Sequence, residues 1–125
     1  MSRYQEDFKA EDGVLLVRLS GTFPNELLRK PANAFQPLID ACATHGCKEA
    51  LIDATALQAK LDTLEMLRAG EDAAQMARLG LRVAIVTRPD RVDAFFEDVA
   101  VNRGGEIRVF TAPDAARTWL SDKPG

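Results

Sequence analysis

The period of apolar and polar positions changes several times along the chain, and each change marks an element. Tyr4 to Lys9 and Val14 to Leu19 read as short strands around Glu11, Asp12 and Gly13, where the Asp-Gly pair predicts a tight hairpin. The first strand is polar enough to be a sheet edge. After Gly21 an irregular passage runs through Phe23, Pro24 and Asn25, with a helical turn over Glu26 to Arg29 before Pro31 interrupts it. From Pro31 onward, Phe35, Leu38, Ile39 and Cys42 recur at helical spacing, which predicts a helix starting at the proline and stopping at Gly46.

Ala50 to Ile52 is a short apolar run ending at Asp53, the pattern of a buried strand. Asp62 and Glu65 stand at capping-box spacing and open a second helix that runs to Leu79 before Gly80, with Met66, Ala69, Gly70, Ala73 and Ala77 on its inner stripe. Val83 to Val86 is continuously apolar, as in a central strand covered on both faces. Pro89 and Asp90 mark a turn, after which Val92, Phe95, Phe96, Val99 and Ala100 keep helical spacing until Gly104 and Gly105. Ile107 to Phe110 makes the last strand. Thr111 and Asp114, flanking Pro113, have the spacing of another capping box for a last helix containing Trp119 and Leu120. The order β-β-α-β-α-β-α-β-α predicts an α/β fold over residues 1–125, a single domain with a mixed, mainly parallel sheet and an N-terminal β-hairpin.

Composition narrows the class. The chain has 125 residues, 46% of them hydrophobic, enough for one core without disulfides, metals or a cofactor. A net charge of −3 and a pI near 5.2 argue against nucleic acid as a partner, since phosphate-backbone binding needs clustered Lys and Arg. Met1 to Gly13 is polar, and the most apolar runs, such as Val83 to Val86, fall far short of the roughly 20 residues that cross a bilayer. No membrane association and a cytoplasmic location are expected. Cys42 and Cys47 are the only cysteines, read as free thiols.

In a parallel sheet, residues just after the strands collect at the carboxyl edge, the usual binding side. Asp53, Thr55, Asp62, Thr63, Thr87, Arg88, Asp90, Arg91 and Thr111 are expected there, with His45 at the opposite edge. That separation disfavours a Ser-His-Asp or Cys-His site, and one histidine with two cysteines makes no zinc signature. His45 suits the last turn of its helix, where its cationic form meets the helix dipole. Arg88 and Arg91, beside the start of the predicted third helix, are candidates for holding an anion or ligand; the alternative is a solvated turn capped by Asp90 or Asp93. Metal-dependent hydrolysis on Asp53 and Asp62 is the weakest reading, because acids at helix starts are usually caps.

Several stretches, in order, resemble the STAS superfamily, in particular its small anti-sigma factor antagonist-like (SpoIIAA-like) branch and the related CRAL-TRIO-like proteins. They are Val14 to Ser20 followed by Gly21, Leu51 to Asp53, Arg82 to Val86, Phe96 to Ala100, Asn102 to Gly104, and Ile107 to Phe110 followed by Ala115, Ala116, Trp119 and Leu120. The resemblance implies a non-enzymatic bacterial regulatory module that binds a protein partner, such as a kinase or a sigma-factor regulator. In such antagonists a serine at the start of the helix after the central strand is phosphorylated by a partner kinase, and Thr63 takes its place here. The usual Asp-Ser-Ser-Gly is replaced by Asp62, Thr63, Leu64 and Glu65, a run that a capping box explains without phosphorylation. Asp53, Asp62 and Thr63 are thus the expected partner-binding residues and Thr63 the switch candidate. The CRAL-TRIO-like side implies an alternative, a carrier of a small molecule or lipid. No cofactor is expected. Glu6, Asp7 and Lys9 discourage pairing through the first strand, so the chain is expected to be a monomer or a weak homodimer.

Overall fold

The computed structural model describes residues 3–91 and 106–122. Five strands form one sheet in the order β1-β2-β3-β4-β5, namely Gln5–Glu11, Val14–Thr22, Glu49–Gln58, Arg82–Val86 and Ile107–Phe110. β1 and β2 are antiparallel and every later pair is parallel, as the sequence predicts. Asp12 and Gly13 hold φ of 53° and 80°, the two left-handed residues that a hairpin twisted like its strands requires. Helix α1 spans Gln36–His45, α2 Thr63–Arg78 and α3 Pro113–Ser121. The helix expected over Val92 to Ala100, with Asn102, Arg103, Gly104 and Gly105 after it, lies outside the described residues.

Alternation along the strands makes two cores. Leu15, Val17, Ile52 and Val83 point to one face and pack with Leu38 and Cys42 of α1 and Ala73 and Met76 of α2. Leu51, Ala84 and Val86 point to the other face and meet Ala116 and Leu120 of α3. Both faces of β4 are therefore covered, which is why its run Val83 to Val86 is apolar without a break.

Local boundaries correct the sequence reading in four places. α1 starts at Gln36, with Pro37 rather than Pro31 in its first turn. The chain before it is held by α2, where Asp72 Oδ2 accepts from the Ala34 amide at 3.0 Å and the Arg68 guanidinium donates to the Lys30 carbonyl, and by a local turn in which Asn33 Oδ1 accepts from the Phe35 amide at 2.7 Å. α1 ends at Gly46 in the left-handed conformation, as expected. β3 does not stop at Ile52 but continues to Gln58, because its second half pairs with Ser20, Gly21 and Thr22. On α2, Glu65 and Asp72 are buried although both are acids, while Met66 and Ala77 lie only partly inside. α3 has Ala112 at its N-cap and no side-chain cap, so the expected box between Thr111 and Asp114 does not form.

Candidate functional site

Asp62 opens α2 with both halves of a capping box. Its Oδ1 accepts from the Glu65 amide at 2.8 Å, and Glu65 Oε1 accepts from the Asp62 amide at 3.0 Å. Glu65 is buried, and the Arg29 guanidinium donates to its Oε2 at 3.0 Å while Asn25 donates to Oε1 at 3.3 Å. One carboxylate thus ties the first turn of α2 to the 3-10 turn Asn25–Arg29. This terminus is fixed in place, and its next two side chains, Thr63 and Leu64, project outward. Leu64 is 76% exposed, the most exposed of the large apolar side chains among the described residues. The sequence reading left it off the inner stripe of the helix without drawing a function from that position.

Asp53 stands elsewhere. It sits inside β3 opposite Arg18, at a step where β3 carries one more residue than β2 before Ser20 meets Ala56. Its Oδ1 accepts from the amide and hydroxyl of Thr55, at 3.0 and 2.6 Å, which braces the bulge. The side chain lines a groove of about 310 Å³ on the α3 side of the sheet, with Asp7, Lys9, Arg18, Pro113 and Arg117. α2 packs on the opposite face. Asp53 and Thr55 are therefore not post-strand residues, and Asp53 does not share a surface with Thr63.

Of the other candidates at the carboxyl edge, Thr87 is buried, and its amide extends the ladder to the Phe110 carbonyl at 2.9 Å. Arg88 Nε lies 3.6 Å from Asp90 Oδ1 with both side chains exposed, a weak solvated pair. Arg91 ends the 3-10 turn Pro89–Arg91, and its side chain lies outside the described residues. His45 ends α1, exposed, just before β3 begins. Cys42 and Cys47 are free and buried; burial pushes the Cys42 thiol up to about 11, with Cys47 beside it adding to the rise. Among the described residues no three His, Cys, Asp or Glu side chains gather as metal ligands, and no helix is long and apolar enough to cross a membrane.

A second feature lies beneath the start of α2. An apolar cavity of about 190 Å³ is lined by Leu19, Ile52 and Leu57 of the sheet and by Leu61, Met66 and Ala69. Thr87 contributes the one polar side chain among its described lining residues.

No protein-family model and no curated protein matches this chain. Solved structures do match its fold. An anti-sigma factor antagonist from Mycobacterium paratuberculosis superposes with a TM-score of 0.64 at 17% identity, over 96% of each chain. A DUF3478-family protein with a SpoIIAA-like fold from Shewanella loihica gives 0.59 at 20% identity, over 96% of this chain and 95% of that one. The NMR structure of the protein TM1081 gives 0.58 at 13% identity, over 98% and 94%. The architecture anticipated from the ordered sequence stretches is the one these structures share.

Proposed function

We propose, with the SpoIIAA-like fold as premise, that this chain is a non-enzymatic regulatory module that docks a protein partner through the first turn of α2. The observation that carries the reading is Leu64, a leucine held out to solvent on a rigidly capped helix start, directly beside Thr63. A large apolar side chain in that position adds nothing to the core, and burying it against a partner is worth about 1.5–3 kcal/mol. Asp62 stands exposed beside it, while Glu65 is buried and paired with Arg29, so the partner surface is expected to offer an apolar pocket with a basic group facing Asp62. One of the matched structures is an anti-sigma factor antagonist, which supports an anti-sigma factor or its kinase as the partner class. Thr63 is the modification point: a phosphate there adds about −1.5 to −2 charges at a helix entrance and beside the docking leucine. A cytoplasmic location goes with this reading.

The absence of catalysis is part of the proposal. Glu65 spends both carboxylate oxygens, and Asp62 and Asp53 one each, on this chain's own amides, hydroxyls and guanidinium groups, and the one histidine stands at the far end of α1. Capture from native lysate with wild type and with folded Thr63→Glu tests the switch. A partner retained by wild type and released by the variant supports it, and a set of partners indifferent to the change removes it.

The apolar cavity favours a second reading, a carrier. Its 190 Å³ lies below the roughly 300–1,000 Å³ of drug-sized ligand sites, so its ligand would be a compact apolar molecule rather than a long-chain lipid. Native mass spectrometry of the purified chain separates the two: a stoichiometric small-molecule adduct favours the carrier, and the bare polypeptide mass favours the docking module.

A further inference from the structure

We infer that β1 is a self-complementary edge through which two copies of this chain join their sheets about a two-fold axis at Phe8. The proposal is independent of the docking face at α2. β1 ends the sheet, and its residues are exposed apart from a partly covered Glu6. Glu11 and Val14 close the two-residue hairpin loop, which makes them a hydrogen-bonded pair. Counting back in twos, Gln5, Asp7 and Lys9 also turn their backbone groups to β2, so Glu6, Phe8 and Ala10 turn theirs outward.

An antiparallel second copy centred on Phe8, the midpoint of Gln5–Glu11, overlaps the whole strand. In that register Phe8 faces Phe8 and Glu6 faces Ala10 as hydrogen-bonded pairs. Asp7 faces Lys9 twice, in the closer non-hydrogen-bonded positions where opposite charges attract best. Moving the axis by one residue puts Asp7 against Asp7, or Lys9 against Lys9 with Asp7 against Glu11. The charges on this edge therefore select one register rather than forbidding all. Phe8, an exposed large apolar residue on a polar strand, would be covered by its own symmetry mate. The Lys9 contact to Glu11 at 3.7 Å is exposed on both sides and easily exchanged. One paired edge buries less than a standard interface, so the dimer is weak.

Sedimentation equilibrium of the full chain tests this. Wild type is expected to associate reversibly in the upper micromolar range. Asp7→Lys alone and Lys9→Glu alone each place like charges across the seam and weaken association at least tenfold. Their equimolar mixture restores opposite charges on both sides and returns association to within about threefold of wild type. Amide exchange gives a second readout on unmodified protein: Glu6, Phe8 and Ala10 gain protection as concentration rises. A wild-type chain that stays monomeric at millimolar concentration, or a mixture no better than either variant alone, overturns the proposal.

Discussion

The guanidinium of Arg82 lies 3.9 Å from the centre of the Trp119 ring and donates to the carbonyl oxygen of the same residue at 2.6 Å. It also reaches the Leu120 carbonyl at 3.2 Å, and Glu106 stands 3.4 Å from its Nε. A residue at the start of β4 thus caps the end of α3, the only helix among the described ones that covers the second face of the sheet. Arg82→Ala strands those carbonyls and removes the stacked cation, and is expected to cost about 2–3 kcal/mol. Urea unfolding followed by the emission of Trp119, the one tryptophan, checks this. Arg82→Lys keeps the charge without the planar fork and should recover less than half of the loss.

Gly21 meets Arg3 more closely than any side chain allows. Its φ is +81°, and a Cβ built there would fall 2.0 Å from the Arg3 carbonyl oxygen. Gly21→Ala is expected to destabilise by clearly more than 1 kcal/mol and to displace the chain before β1. Gly46→Ala is the control: φ is also positive, at +66°, but no heavy atom lies within 4 Å, so strain alone acts. Equal losses in the two variants, measured by thermal unfolding, would show that the approach of Arg3 is unimportant.

Alkaline titration should separate two protected groups. Burial, then the hydrogen bond and the charge of Glu6, hold the Tyr4 hydroxyl protonated far above the usual phenol range. Tyr4 is the one tyrosine, so absorbance at 295 nm should show no tyrosinate until the chain unfolds. For Cys42 the folded thiol titrates at about 11 against 9.0 for the free group. The folded state then holds a proton that the unfolded state releases, and stability falls as pH rises across that window. Thiol labelling at pH 8 should be slow in native protein and fast in urea. Fast labelling of native Cys42 would contradict its burial.

Much of this fold was legible because its signals are local. Asp12-Gly13, the Asp62 and Glu65 pair, and Gly46 each satisfy a backbone requirement by themselves, and all three act as read. What was misread depends on distant partners. Pro31 to Phe35 looks helical but is drawn to Asp72 and Arg68 across the structure. Asp53 looks like a strand end, but β2 runs on past it and carries β3 to Gln58. Thr111 and Asp114 have capping spacing, yet the helix starts from Ala112. Leu64 stands out only once the structure shows how far it is held into solvent, away from the buried side of α2.

Substitutions at the start of α2 should leave the fold intact, which is what makes the docking account testable. Asp62→Ala loses a cap worth about 1 kcal/mol. Thr63→Glu places a negative charge in the first turn, where the helix dipole favours it, and should shift stability by less than about 1 kcal/mol. Circular dichroism melts check both. A cooperative fold lost on Thr63→Glu would make it useless as a phosphate mimic here.

The most direct measurement is the affinity of the captured partner, once purified, for wild type, Leu64→Glu and Leu79→Glu. Both leucines are exposed and lie on or beside α2, Leu64 in its first turn and Leu79 at its C-cap, 53% exposed. Docking through the first turn predicts that Leu64→Glu weakens binding about 10- to 100-fold at unchanged Tm, while Leu79→Glu binds as wild type. Equal affinities for all three would contradict it.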